Sequence, residues 1–113
     1  MLDPSQISEA LEAQIERLDE LVDEVRDAGR NAAETESAFK IEHAKARLTI
    51  KATALEKLTV SDIEAEALVA CDELHLRYLL GENALITTRE VIRLSQTKVD
   101  ALRTLSASFR GQS

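Results

Sequence analysis

The first quarter of the chain carries carboxylates at a spacing that could hold a metal ion. Glu-x-x-Asp occurs three times, at Glu16/Asp19, Glu20/Asp23 and Glu24/Asp27. Carboxylates three or four residues apart share a helix face and can bind Mg²⁺ together. A magnesium-dependent nucleotide hydrolase also needs a second acidic motif on a facing helix, and Asp62, Glu64 and Glu66 lack that spacing. We therefore expect a solvated or partner-binding face formed by Glu16, Glu20, Asp23 and Asp27.

The histidines and the single cysteine are too few for a metal centre. Cys71, Asp72 and His75 could bring two ligands together, but His43 lacks an acidic residue three positions before it. Neither a di-iron pattern nor a zinc ligand set is complete. No nucleophile with a base at motif spacing and no glycine-rich phosphate loop is present. The sequence predicts no metal, no cofactor and no enzymatic activity.

Basic residues form two tracks that could follow a phosphate backbone. Lys40, Arg47 and Lys51 share one helix face with Lys45 nearby, and Arg89, Arg93 and Arg103 follow another. These seven residues are the candidate nucleic-acid contacts. The alternative is that they form ion pairs with the acidic first helix, or that they lie on a solvated face.

The net charge is concentrated at one end of the chain. Residues 1–28 contain nine carboxylates and two cations, which accounts for the whole net charge of −7 of the 113 residues. One cysteine fits a reducing compartment, and no apolar run reaches membrane-spanning length. We expect a cytoplasmic protein without a membrane contact.

Three helices are predicted, and each has a capping signal. The first covers 1–28, with Asp3 as N-cap, Pro4 as first helical residue, Gln6 as capping-box partner, and Gly29 after its end. The second covers 31–58 and begins with Asn31 and Glu34. The third covers 61–110 and begins with a capping box of Ser61 and Glu64.

The second helix carries two apolar stripes, which indicates neighbours on both sides. The main stripe contains Ile41, Ala44, Leu48, Ala52, Leu55 and Leu58. The other contains Phe39, Ala46, Ile50 and Thr53.

The third helix keeps two heptad series in phase along its length. One series is Cys71, Tyr78, Leu85, Ile92 and Val99; the other is Ala67, Leu74, Gly81, Thr88, Ser95, Leu102 and Phe109. This favours one long helix, kinked at Gly81, over a break at 81–83 that would give a four-helix bundle. The small residues Gly81, Thr88 and Ser95 either make room for the second helix or form a self-association seam.

These elements predict an all-α fold and one helical domain over 1–113. The architecture is an elongated antiparallel helical hairpin or three-helix bundle with a long, coiled-coil-like C-terminal helix. With 3% aromatic residues the core buries little area, so we expect a homo-oligomer.

The layout from Ser37 to Arg110 resembles that of small helical phage proteins. A Lys/Ala-rich helix (FKIEHAKARLTIKATALEKL) is followed by an acidic turn (TVSDIEAEALVACDE) and a long helix with a basic end (LRYLLGENALITTREVIRLSQTKVDALRTLSASFR). This plan is similar to that of UvsY-type recombination mediators. The resemblance implies a ring-like oligomer that binds single-stranded DNA and helps to load a recombinase while displacing the single-strand-binding protein. It implies DNA-facing positions at Lys40, Lys45, Arg47 and Lys51.

Two functions of different class remain open. The preferred one is a non-enzymatic accessory protein of phage DNA recombination or replication, located in the host cytoplasm, which binds single-stranded DNA or a recombination protein as an oligomer. The alternative is an assembly, adaptor or inhibitor protein that binds another protein through its acidic helix. A magnesium-dependent nucleotide hydrolase is a remote third.

Overall fold

A computed structural model describes residues 2–111 and contains three helices. They are α1 (Pro4–Thr53), α2 (Val60–Ala70) and α3 (Asp72–Gly111). The described residues contain no β-strand. The predicted all-α class and long C-terminal helix are confirmed.

The start of α1 is the one that the sequence predicts. Gln6 N donates to Asp3 Oδ1 at 2.8 Å, and Asp3 N donates to Gln6 Oε1 at 2.9 Å. This reciprocal pair satisfies two backbone donors that a helix leaves unpaired at its N-terminus. Pro4 is the first helical residue. Proline has no N–H, but no hydrogen bond is lost there, because the N–H of the first helical residue has no partner within the helix.

The predicted boundary at Gly29 is wrong. α1 continues through Gly29 and Asn31 to Thr53, so the predicted helix 1–28 and most of the predicted helix 31–58 form one helix of 50 residues. The predicted end at Leu58 is also wrong, because residues 54–59 are not helical. A glycine that ends a helix usually adopts a positive φ, and no glycine of the described residues does so. Glycine permits a left-handed turn but does not require one, and the residues on both sides of Gly29 favour a helix.

The chain between α1 and α3 differs from the prediction at both ends of α2. The N-cap is Thr59, whose hydroxyl accepts from Asp62 N at 3.1 Å, so the predicted box of Ser61 and Glu64 is wrong. The predicted helix 61–110 is interrupted at Cys71, where φ is −113° and ψ is 27°. α3 then passes through Gly81 without ending, and the alternative four-helix bundle does not form.

The helices form two compact units. The terminal unit joins α1 up to Asp27 with α3 from Ile86 onward, and its buried residues include Ile7, Leu21, Ser95 and Val99. The central unit is Ala28–Leu85. Its buried residues include Phe39, Ala67, Cys71 and Gly81.

Both predicted inward series of α2 and α3 are confirmed as the covered face. Cys71 and Val99 are buried, and the other members of their series are half-buried. In the second series Ala67, Gly81 and Ser95 are buried, and the remaining members are half-buried. The heptad pattern therefore identified the core-facing side of these helices, although it did not predict the break at Cys71.

Candidate functional site

The predicted basic track on α1 is exposed, and most of it is neutralised locally. Lys40 Nζ lies 2.6 Å from Glu36 Oε1, and Lys45 Nζ lies 3.4 Å from Glu42 Oε1. The hydrogen bond to Glu36 and the charge of that carboxylate raise the pKa of Lys40 above its usual value. Lys51 forms no ion pair with any described residue.

Arg47 of the same track connects α1 with α2. Its Nε lies 3.2 Å from Glu64 Oε1, and His43 Nε2 lies 3.3 Å from the other oxygen of that carboxylate. The His43 nitrogen is enclosed but does not meet the carboxylate with hydrogen-bond geometry. Glu64 therefore sits between two basic side chains of α1, and Arg47 is only partly available to another anion.

The predicted basic residues on α3 belong to the terminal unit. Arg93 is paired with Glu90 one turn before it. Arg89 and Arg103 have no ion pair within the described part of the chain. Of the seven predicted nucleic-acid contacts, only Lys51, Arg89 and Arg103 thus lack a carboxylate partner there.

The acidic part of α1 is paired with cations of its own helix. Arg17 Nη1 lies 3.0 Å from both Glu20 and Glu24, and these hydrogen bonds raise the pKa of Arg17. Arg26 Nη1 lies 3.6 Å from Asp23. Glu16 and Asp27 form no ion pair with described residues, so two of the four carboxylates of the predicted partner-binding face lack a cation partner there.

The small residues of the predicted self-association seam face the interior of the chain. A Cβ atom on Gly81 would lie 2.8 Å from Thr35 Oγ1 and 3.5 Å from Ala32 Cα of α1. Thr88 is half-buried and Ser95 is 6% exposed. Gly81 therefore makes room for α1 within one chain, which is the first of the two roles expected for these residues.

A cluster of rings that the sequence analysis missed lies in the central unit. The ring centroid of Phe39 is 5.2 Å from that of His43, 4.9 Å from that of His75 and 5.5 Å from that of Tyr78. Helical spacing places His43 one turn after Phe39, and Tyr78 one turn after His75. These two pairs of rings were the feature of the sequence from which the cluster could have been predicted. The cluster packs α1 against α3. No group of three or more potential ligands among the described residues is placed to hold a metal ion.

The main apolar stripe predicted for 31–58 is uncovered. Ile41 and Leu48, seven residues apart, are 53% and 70% exposed. The other stripe contains the buried Phe39 and the half-buried Ala46 and Ile50. The sequence showed two apolar faces but could not show which of them the chain itself covers.

The uncovered stripe borders a groove between α1 and α2, here called the α1–α2 groove. Its volume is about 370 Å³, and it lies wholly within the central unit. The lining residues are Ala44, Arg47, Leu48, Lys51, Val60 and Ile63. Apolar side chains thus line a groove that also presents two cations.

No helix of the described residues is long and apolar enough to cross a membrane. Comparisons with family models, curated proteins and solved structures found no match to this chain.

Proposed function

We propose that the chain is a non-enzymatic helical interaction module that functions as an assembly of several copies. The observation that carries this proposal is the exposure of large apolar side chains on helix faces turned away from the core. In the central unit Leu48 and Val60 line one groove and are 70% and 75% exposed. Clustered apolar side chains of this kind mark protein interaction surfaces, whereas single ones do not.

The free energy gained by burying these apolar side chains would favour assembly. Full burial of one leucine, isoleucine or valine side chain contributes about 1.5–3 kcal/mol. An interface that covers several half-exposed side chains on each of two copies therefore offsets an association cost on the order of 4–15 kcal/mol. Such an assembly would complete the small core that the aromatic-poor composition predicts.

Binding of single-stranded DNA in phage recombination is the second candidate. It is supported by the positions of the ion pairs, because Lys40 and Lys45 are bound by residues of their own helix and not by the N-terminal carboxylates. Exposed pairs of this type contribute about 0.3–0.5 kcal/mol each, so a phosphate could displace them. Glu36, Glu42 and Glu64 nevertheless neutralise most of the positive charge of the α1 track. Because phosphate binding depends on that charge, DNA binding is the second candidate.

One experiment separates the two candidates. Light scattering would give the mass of the full chain with and without a single-stranded oligonucleotide, at low and at moderate salt. The interaction module predicts a mass well above the 12.5 kDa of one chain and no change on adding the oligonucleotide. A mass of one chain at every concentration contradicts it. A salt-sensitive increase with oligonucleotide would establish the DNA role instead.

A further inference from the structure

We propose that the α1–α2 groove of one copy binds the acidic part of α1 from a second copy. The inference rests on the proposed function, because it names the surfaces through which the copies assemble. It gives the acidic first quarter of the chain a partner of opposite charge, and it gives the groove an occupant with matching apolar side chains.

The groove sets the chemistry of its occupant. Leu48 and Val60 need apolar partners because both side chains are largely exposed in the single chain. Arg47 and Lys51 lie one helical turn apart, and only Arg47 has a carboxylate partner among the described residues, Glu64. The occupant must therefore present an apolar ridge beside a row of negative charges.

The acidic part of α1 has this composition on one exposed side. Ile15 and Val22 are 40% and 51% exposed and lie seven residues apart, on nearly the same face of the helix. Asp19 lies between them, and Asp23 follows one turn later. Asp19 and Asp23 have the same four-residue spacing as Arg47 and Lys51. When the two segments are antiparallel, Asp19 meets Lys51. Asp23 then meets Arg47, and this contact replaces the pairs that these two residues form with Arg26 and Glu64 in the single chain.

Charge complementarity selects a second copy as the occupant. Residues 1–28 carry a net charge of −7. Residues 39–58, which include the α1 side of the groove, contain five cations and two carboxylates, and the α2 side adds three carboxylates, of which Glu64 pairs with Arg47. Lys51 keeps its positive charge unpaired among the described residues. Each copy supplies one groove and one acidic segment, so the two contacting surfaces are different patches. An interface of this type is heterologous, and opposite charges at its edge make its strength depend on salt.

The apolar part of the contact is tested with Leu48→Glu in the full chain. The expected result is at least a tenfold increase in the dissociation constant of the assembly, measured by light scattering over a range of concentrations. Leu94→Glu is the matched control, because Leu94 has a similar exposure of 58% and lies on α3, outside the groove. Circular dichroism of each variant checks that its helix content is unchanged.

The charged part is tested with Asp19→Lys and Lys51→Glu. Each variant alone should assemble at least tenfold more weakly, because each has lost one of the two complementary surfaces. A mixture of the two variants should assemble, since the intact acidic segment of Lys51→Glu fits the intact groove of Asp19→Lys. The double variant should recover self-assembly through the exchanged charges. Lys98→Glu, with the same charge change on α3, should assemble like the wild type.

Two results would overturn the inference, and they have different consequences. If the wild type assembles but Leu48→Glu, Asp19→Lys and Lys51→Glu assemble equally well, the copies meet elsewhere and the interaction module survives. If the wild type is a single chain under all conditions, both this inference and the proposed function fail. Weakened variants that do not complement each other in the mixture would also exclude the pairing of groove and acidic segment.

Discussion

Two glycines occupy the interiors of long helices, and their surroundings give them different roles. At Gly29 of α1 an added Cβ atom would lie 3.9 Å from Leu85 Cδ1, which is an ordinary van der Waals contact. Gly81 of α3 faces α1, where a Cβ would lie 2.8 Å from the hydroxyl of Thr35. Glycine disfavours a helix interior by about 1 kcal/mol relative to alanine. Close packing against α1 explains the presence of glycine at position 81, and nothing in the packing explains it at position 29.

Gly29→Ala should stabilise the protein by about 1 kcal/mol, because alanine gains helix propensity and meets only an ordinary van der Waals contact. Thermal unfolding followed by circular dichroism would show a midpoint higher by about 4–8 °C. An unchanged or lower midpoint would mean that α1 is not a regular helix at this position.

Gly81→Ala should instead destabilise the protein by about 1 kcal/mol, because the cost of overpacking, about 1–3 kcal/mol, exceeds the gain in propensity. Thr35 cannot move freely, since its hydroxyl donates to Asn31 O at 2.8 Å. Urea unfolding of both glycine variants gives the comparison. In a Thr35→Ala background the loss caused by Gly81→Ala should become smaller. The same loss there would point to Asn31 as the obstacle instead, because its Nδ2 would lie 3.2 Å from the added Cβ.

At the scale of the helices, capping explains both the successes and the errors of the sequence-based prediction. The box of Asp3 and Gln6 was found because polar residues at the right spacing precede an apolar stripe. The box of Thr59 and Asp62 was placed two residues too late, because Ser61 and Glu64 offer the same pattern. Only the backbone conformation at Thr59 decides between the two, and that depends on how α2 packs.

The break at Cys71 had no signal in the sequence. Its N–H bonds to Ala67 O and Leu68 O, and its carbonyl accepts from His75 N at 2.8 Å, so the chain leaves and re-enters the helix at one residue. Neither glycine nor proline marks the site, and the apolar series continues through it. The ring cluster around Phe39 was missed for a related reason, because its members come from two helices whose register the sequence does not give.

Thr59→Ala should destabilise the protein by about 1 kcal/mol, because α2 then loses the side chain that accepts from Asp62 N. Ser61→Ala is the matched control and should change the free energy of unfolding by less than about 0.5 kcal/mol, since Ser61 lies inside the first turn. Urea denaturation of both variants makes the comparison. A larger loss with Ser61→Ala would move the N-cap to the position predicted from the sequence.

At the scale of the molecule, the proposed assembly would couple folding to association through the uncovered apolar side chains. Large side chains exposed by at least a third occur on all three helices, among them Ile41 on α1, Val69 on α2 and Leu80 on α3. A chain that covers such side chains only in contact with other copies gains part of its stability from that contact. Its stability then depends on how many copies are present.

The midpoint of thermal unfolding should therefore rise with protein concentration. Circular dichroism between micromolar and hundreds of micromolar protein would measure the rise. Leu48→Glu, which is designed to weaken assembly, should have a midpoint that changes less with concentration. A wild-type midpoint independent of concentration would mean that assembly contributes nothing to stability.

The passage of α1 through Gly29 means that the acidic quarter is not a detachable tail. Ile7 and Leu21, which lie in it, are almost completely buried. A protease that cut after Ala28 would divide a continuous helix, and loss of the released segment would uncover the part of α3 against which it packs. Proteolytic removal of residues 1–28 therefore could not remove the negative charge and leave the rest of the fold intact. A change in this charge would require that the carboxylates be modified or covered in place.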